Sequence, residues 1–299
     1  IPNLIATLLG RADNYENDVD TEALLNELDT EGVLTKASIL TTPTAYGAGV
    51  LNSIIPENAP RADSTWNRSS NAIRTDSSGL LETMGADIPR VDYEDGDAAI
   101  LFEPEATNFF PYSEDVTQWS FQFSTSITLN DAIAPDGTMT ATKLQNTFNT
   151  RSVGNPVIAA SNAIVSFWMK WPIGDQLRLD TAQANYFYTG TGQWERVVVN
   201  ENRNSCKYRL FPQGNTGHIW GCNFTTGADV TSTIQTNGTS ITRTKDICEN
   251  AGSTSLINSE EGVLYAEVAA LTNTGNNRSI SISDGTTDNA IKLILTSTG

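Results

Sequence analysis

The chain has 299 residues, enough for about two domains, and its 18 Lys and Arg residues face 35 Asp and Glu residues, giving a formal net charge of −17. This balance argues against binding to nucleic acid and against attachment to anionic membranes, because both depend on clustered basic residues. The one histidine disfavours multi-histidine metal sites, and no apolar run approaches the roughly 18 residues that span a bilayer.

Residues 1–44 are predicted to be a short helical segment that anchors the chain to a partner. A first apolar stripe has the i, i+3, i+4, i+7 spacing of one helix face: Ile5, Leu8, Leu9 and Ala12. A second stripe, which Asp18 or Asp20 could cap, consists of Leu24, Leu25 and Leu28. Two such short helices cannot bury their apolar faces alone. They need the rest of the chain, copies of it or another protein.

From Pro43 onward short apolar runs are punctuated by turn residues, which is typical of strands and loops. Residues 1–105 carry most of the acidic excess, and the part from 45 to 105 is predicted to form a β-rich collar that oligomerises. Residues 106–224 contain several alternating segments and predict a jelly-roll-like β-sandwich. The polar stretch 225–259 is interpreted as a connector. Residues 260–299 predict three strands that begin a second, lectin-like sandwich, cut off at the end of the sequence. The predicted fold class is therefore mainly β, preceded by the short N-terminal helices.

Motifs that carry chemistry are scarce. His218 sits in an apolar segment and is interpreted as a structural histidine. The acidic run 92–97 does not follow the order of ligands in an EF-hand loop and is interpreted as a solvated turn. No glycine-rich phosphate loop is present. No catalytic residue, metal site or cofactor is predicted.

The three cysteines, Cys206, Cys222 and Cys248, follow no zinc-binding or CxxC spacing. They are interpreted as small buried apolar side chains. A Cys206–Cys222 bridge is the alternative, because both residues lie in strand-like segments.

Aromatic residues offer the candidates for a binding site. Trp168 and Trp220 lie within apolar segments and are predicted to be buried. Three other aromatic residues lie near Pro or Gly turns and are predicted to be partly exposed, where they could stack on a sugar ring: Trp171, Tyr186 and Tyr188.

Four phrases resemble a block common in virion appendage proteins of tailed bacteriophages: W-N-R-S-S-N-A-I-R at 66–74, S-G-L-L-E at 78–82, I-P-R-V-D-Y at 88–93 and L-F-E-P-E-A-T-N at 101–108. The next phrases resemble a carbohydrate-binding-module-like sandwich: Y-S-E-D at 112–115, A-P-D-G-T-M-T-A-T-K-L at 134–144 and S-F-W-M-K at 166–170. The phrases T-N-G at 236–238, T-R-T-K-D at 242–246 and E-G-V-L-Y-A-E-V at 261–268 are similar to the start of a laminin-G or lectin-like sandwich.

The resemblance implies a non-enzymatic structural protein of a phage virion, a fibre or tail-appendage subunit. Its partners would be copies of itself in a homotrimer, other virion proteins bound through the N-terminus, and a host surface glycan. Two rivals remain open. One is a glycan depolymerase whose active site lies outside this sequence, and the other is a surface adhesin of a bacterium.

Overall fold

The computed structural model describes most of the chain between Asn3 and Thr296. The described ranges are 3–7, 37–55, 64–119, 121–122, 125–146, 153–158, 163–181, 184–201, 206–213, 215–227, 230–252, 260, 262–266, 268–269, 278–286 and 288–296.

Within these ranges the chain is almost entirely β-structure, with one 3-10 turn at Val116–Gln118. No helical segment in the described ranges has the length and apolar character that crossing a bilayer requires. The strands in chain order are β1 (Asn3–Thr7), β2 (Ala37–Gly47), β3 (Val50–Ile55), β4 (Thr65–Asn67), β5 (Ala72–Thr75), β6 (Leu81–Met84), β7 (Val91–Asp92), β8 (Ala99–Ile100), β9 (Ala106–Asn108), β10 (Phe121–Gln122), β11 (Ser126–Ala132), β12 (Ala141–Gln145), β13 (Val153–Ile158), β14 (Ala163–Lys170), β15 (Gln176–Asp180), β16 (Asn185–Thr189), β17 (Glu195–Glu201), β18 (Cys206–Phe211), β19 (Thr216–Thr226), β20 (Ile241–Arg243), β21 (Ile247–Glu249), β22 (Gly262–Ala266), β23 (Arg278–Ser283) and β24 (Ala290–Leu295).

The N-terminal helix predicted from Ile5 is wrong where the structure describes it. Residues 3–7 form β1, which pairs in parallel with β2 on one side and with β22 on the other. A short apolar run reads equally well as a helix face or a strand, and here pairing along both edges selects the strand. The rest of the first stripe, Leu8, Leu9 and Ala12, and the second stripe, Leu24, Leu25 and Leu28, lie outside the described residues.

The predicted β-sandwich is present in the middle of the chain. The first sheet has the strand order β11-β12-β19-β14-β17, and the second has the order β10-β13-β18-β15-β16. Alternate side chains of each strand point into the space between the sheets. Phe167 and Phe224 from the first sheet meet Leu179 and Leu210 from the second in one buried cluster.

A change of side-chain direction in β19 lets both ends of this long strand face the core. Ile219 and Cys222 both belong to the buried cluster, although strict alternation would place them on opposite faces. Gly221 lies between them with a φ of +61°, a conformation that glycine adopts easily. The pairing with the neighbouring strand β14 is irregular at this point, because two steps from Ser166 to Trp168 oppose three steps from Asn223 to Trp220 on β19, as in a β-bulge.

The outer face of the first sheet is covered by the segment that precedes the sandwich. Trp220 points outward from β19 and packs with Ile73 of β5, Ala134 and Ala141 in a second buried cluster. Leu81 of β6 packs against the same cluster. The described part of the predicted collar therefore rests directly on the sandwich.

The stretch 225–259 contributes strands in its described part. β20 pairs with β9 at the start of the 106–224 segment, and β21 pairs with β4 in the collar. In the last 40 residues the three predicted strands occur as β22, β23 and β24, but they do not form one sheet. β22 joins β1, whereas β23 and β24 form a separate hairpin.

Candidate functional site

Three strands of the second sheet, β15, β16 and β18, turn part of their side chains toward solvent. Leu177 and Leu179 of β15 are fully buried in the core, so the alternation of the strand directs Arg178 and Asp180 outward. In the same way Leu210 of β18 is buried in the core. Its neighbours in sequence therefore belong to the outer face.

Five side chains on this outer face form what we call the aromatic–arginine face: Arg178, Asp180, Phe187, Arg209 and Phe211. The strand register places Arg178 between Phe187 on β16 and Phe211 on β18. Asp180 lies next to Arg209 on β18. Phe187 is 54% exposed, a large fraction for a phenylalanine side chain.

Arg178 is held in place by its two neighbours. Its Nε lies 2.7 Å from Oδ1 of Asp180, and its Nη2 donates a hydrogen bond of 2.9 Å to Oδ2 of the same carboxylate. Its Cζ lies 3.9 Å from the centre of the Phe211 ring, a cation–π contact. A planar guanidinium fixed by an ion pair and a ring contact offers its remaining donors in a defined direction.

This arrangement suits the recognition of a sugar. The apolar face of a sugar ring stacks on an exposed aromatic ring, and its hydroxyl groups need nearby donors and acceptors. Phe187 supplies the ring, while Arg178 and Asp180 supply the polar groups beside it.

The sequence-based candidates Tyr186 and Tyr188 lie on the same strand as Phe187 but on the other face. Both are half-buried and pack against the core of the sandwich. Burial, together with the nearby Tyr186, raises the pKa of Tyr188 to about 12. The prediction thus located the strand, but the outward ring belongs to Phe187, which alternation sets apart from the two tyrosines and the register with β15 places on the outer face.

The prediction that Trp171 is partly exposed is wrong. Its side chain has 0% exposure and belongs to the core cluster. The ring lies directly over Gly217, where an added Cβ would stand 2.2 Å from two of its carbon atoms. A side chain enclosed in this way cannot stack on a ligand. Of the two tryptophans predicted to be buried, Trp220 is 1% exposed as expected, whereas Trp168 is only half-buried.

Three of the four phrases that resemble phage appendage proteins, together with the phrase at 242–246, meet in one buried ionic cluster, which consists of Arg68, Arg90, Glu103, Arg243 and Asp246. The Asp246 carboxylate accepts a hydrogen bond of 2.8 Å from Nη1 of Arg68 and a second, very short one from Nη2 of Arg90. It also accepts a hydrogen bond of 2.9 Å from the backbone N–H of Glu103. The cluster therefore ties four phrases, far apart in the sequence, to each other.

Glu103 forms the second anionic centre of this cluster. Its Oε2 lies 2.6 Å from Nη1 of Arg90 and 3.6 Å from Nη1 of Arg243. Burial alone would raise the pKa of Glu103, but Arg243, Arg90 and the hydrogen bonds from Ser232 outweigh it and hold the pKa below its usual range. Both carboxylates are engaged by arginines, so neither charge is buried without a partner of opposite sign.

The remaining polar candidates belong to surface pairs and turns. His218 makes a contact of 2.9 Å with Oδ2 of Asp131 at the surface. In the acidic run 92–97, Asp92 accepts hydrogen bonds from the backbone of Thr75 and Glu94, as in an ordinary turn. The part of the chain that the structure describes contains no group of three or more His, Cys, Asp and Glu side chains placed to share a metal ion.

The cysteines do not form the bridge considered as an alternative. Cys222 is a free, fully buried thiol, and burial raises its pKa. Cys248 is free and exposed on β21, contrary to the prediction that it is buried. The side chain of Cys206 lies outside the described residues.

Comparisons with known proteins give weak structural similarities. A scan against protein-family models finds no match, and a search of curated proteins finds none either. Among solved structures, the CBM22-1–GH10 modules of Clostridium thermocellum xylanase 10B, complexed with xylohexaose, match 41% of this chain and 28% of their own at 10% identity and a TM-score of 0.31. The enzymatically active domain of tailspike protein 4 from bacteriophage CBA120 matches 37% of this chain and 20% of its own at 10% identity and a TM-score of 0.28.

A third similar structure is the carbohydrate-binding module CBM6cm-2 of Cellvibrio mixtus lichenase 5A, in complex with cellotriose. It matches 41% of this chain and 97% of its own at 13% identity and a TM-score of 0.27. This chain therefore spans about a quarter of the xylanase fragment and a fifth of the tailspike chain, but nearly the whole lichenase module. With sequence identities and TM-scores this low, the comparisons assign the chain to none of these families.

Proposed function

We propose that this chain is a structural, non-enzymatic subunit of a tailed-phage virion, a fibre or tail appendage that binds a host surface glycan through the aromatic–arginine face. The observation that carries the glycan-binding part is Phe187, an aromatic ring 54% exposed next to the fixed guanidinium of Arg178. An exposed aromatic ring on a rigid sheet can bind a sugar without a loop having to become ordered.

The virion part of the proposal is supported by the resemblance in sequence and by the contacts of the residues that carry it. Arg68, Arg90 and Glu103 come from three of the four phrases that resemble phage appendage proteins, and all three take part in the buried ionic cluster. Arg74, from the first phrase, donates to Glu82 at 2.7 Å and to the backbone oxygen of Val91 at 2.8 Å. These contacts connect the phrases into one unit, which supports treating the resemblance as a single module.

Assembly into a homotrimer is part of the proposal. The β23–β24 hairpin leaves Ile291 58% exposed, Leu293 38% exposed and Ile280 36% exposed. A two-stranded hairpin is marginally stable on its own, and association of copies would cover these side chains. Anchoring to the particle is assigned to residues 1–44, with Leu8, Leu9, Leu24, Leu25 and Leu28 as the candidate contacts.

Quantitative mass spectrometry of purified virions tests this proposal. We expect peptides of this chain in the particle, at a copy number that is a multiple of three when measured against a labelled standard. A host surface protein from the same lysate serves as the control for contamination. Absence of the chain from particles that are complete and infectious would contradict the virion role. A copy number that is not a multiple of three would contradict the trimer.

A further inference from the structure

We propose that the aromatic–arginine face selects polysaccharides that carry carboxylate groups, an inference that rests on the glycan-binding function proposed above. Three features carry it: the donors that Arg178 leaves unused, the screening of the acidic remainder of the chain, and the position of Phe187 relative to that arginine.

The first feature is the geometry of the Arg178 guanidinium. Asp180 engages the side of the group formed by Nε and Nη2. Among the described residues, no acceptor lies within hydrogen-bonding distance of Nη1. The end formed by Nη1 and Nη2 is therefore available to a ligand. Two parallel N–H groups at this end match the two oxygens of a planar carboxylate.

The second feature is the charge of the face. The whole chain has a net charge of −17, yet this face contains two arginines and one aspartate. At physiological salt, charges more than about 8 Å away are largely screened. A ligand that reaches the face therefore meets the unused donors of Arg178 without strong repulsion from the acidic protein around it. The face therefore favours an acidic ligand through the position of the Arg178 guanidinium and not through the net charge of the protein.

The third feature is the distance between the aromatic ring and the arginine. Phe187 and Arg178 are direct partners across the β15–β16 pair. Side chains at such positions start about 5 Å apart, which is close enough for one sugar unit to touch both. A uronic acid unit could stack its ring on Phe187 and direct its carboxylate to the free end of Arg178.

The ligand class can be tested with matched pairs of polymers. Polygalacturonate, alginate and hyaluronate are each compared with their carboxyl-reduced forms, and binding to the intact chain is measured by calorimetry at physiological salt. We expect at least one of the three acidic polymers to bind, and its reduced form to bind at least about tenfold more weakly, as the loss of a charged hydrogen-bonding partner predicts.

Variants of the protein separate the planar pair of donors on Arg178 from its positive charge. Arg178→Lys keeps the charge but loses the two parallel N–H groups, and we expect it to lose most of the preference for the acidic polymer. Lys143→Gln is the matched control, because Lys143 pairs with Asp131 at the surface of the other sheet. It should keep the full preference. Thermal unfolding of both variants shows that the sandwich is folded.

Each outcome decides between the two proposals. If a reduced polymer binds as tightly as its acidic form, the carboxylate inference is overturned while glycan binding stands. If dextran sulfate, which has no uronate, binds as tightly as the acidic polymers, the face attracts anions in general and the inference is overturned as well. If none of the polymers binds, both this inference and the proposed glycan function fall.

Discussion

Replacing Asp246 by Asn should lower the free energy of unfolding by about 3–5 kcal/mol, a large share of the stability of a typical domain. The Asp246 carboxylate is 1% exposed and faces Arg68 and Arg90, whose side chains are 2% and 0% exposed. The neutral amide has nearly the same shape but leaves both arginines without this counter-charge in a buried site. Removing one partner of a buried ion pair costs much more than the intact pair contributes to stability.

Denaturant unfolding followed by tryptophan fluorescence measures this loss. The matched control is Glu82→Gln, because Glu82 pairs with Arg74 and is 47% exposed. An exposed pair contributes at most about 1 kcal/mol, so the control should unfold almost like the unchanged protein. If the free energy of unfolding of Asp246→Asn is also within about 1 kcal/mol of that of the unchanged protein, the buried ionic cluster does not connect the collar to β20 and β21 as described.

Replacing Trp171 by Ala should cost about 3–5 kcal/mol, because it removes a fully buried side chain and leaves a cavity in the core. Gly217→Ala should also be destabilising, by about 1–3 kcal/mol or more, since the new methyl group would overlap the Trp171 ring. Both changes act on the same contact. In the double variant the cost of the alanine at position 217 should largely disappear, because the ring that it strikes is gone.

The four proteins of this cycle are compared by denaturant unfolding. Gly47→Ala is the control, because a Cβ at Gly47 would have no heavy atom within 4 Å and its φ is not in the left-handed region. It should change the stability by less than about 0.5 kcal/mol. Strictly additive costs in the double variant would show that Trp171 and Gly217 do not share this contact. A cost below about 2 kcal/mol for Trp171→Ala would contradict the burial of the ring in the core.

The strands of the sandwich were predictable because alternation is a local property of the sequence. The segments around Trp168, Val197 and Ile219 alternate or are continuously apolar, and each of them forms a strand of the first sheet. The N-terminal strand was not predictable in this way. β1 exists because β2 and β22 flank it, and β22 lies at the opposite end of the sequence.

The candidate site shows the same limit at the level of side chains. Alternation along β16 separates Phe187 from Tyr186 and Tyr188 but does not tell which set faces the core. The register with β15 decides it, because Tyr186 and Tyr188 stand opposite the buried Leu179 and Leu177. Trp171 likewise lies next to a Pro and Gly turn, as the sequence indicated, yet Gly217 leaves the space that its buried ring fills, and Gly190 leaves room for its backbone and Cβ.

The buried ionic cluster was the feature least accessible from the sequence. Arginine and glutamate are rarely buried unless they are paired, and the residues that pair here are separated by long stretches of chain. Arg90 and Asp246 form one such pair, and Arg68 and Asp246 another. The phrases identified a family resemblance, whereas the function of their charged residues in the fold became visible only from the contacts.

The most direct test of the proposed glycan-binding face is the affinity of Phe187→Ala for a polysaccharide that the unchanged protein binds. Ile133→Ala is the matched control, because Ile133 is 58% exposed, close to the 54% of Phe187, but lies in the connection between β11 and β12 of the other sheet. The loss of a phenylalanine from a contact surface is worth about 1.5–3 kcal/mol, so Phe187→Ala should bind at least about tenfold more weakly while Ile133→Ala binds as before. Equal affinity of Phe187→Ala and the unchanged protein would contradict the assignment of glycan binding to this face.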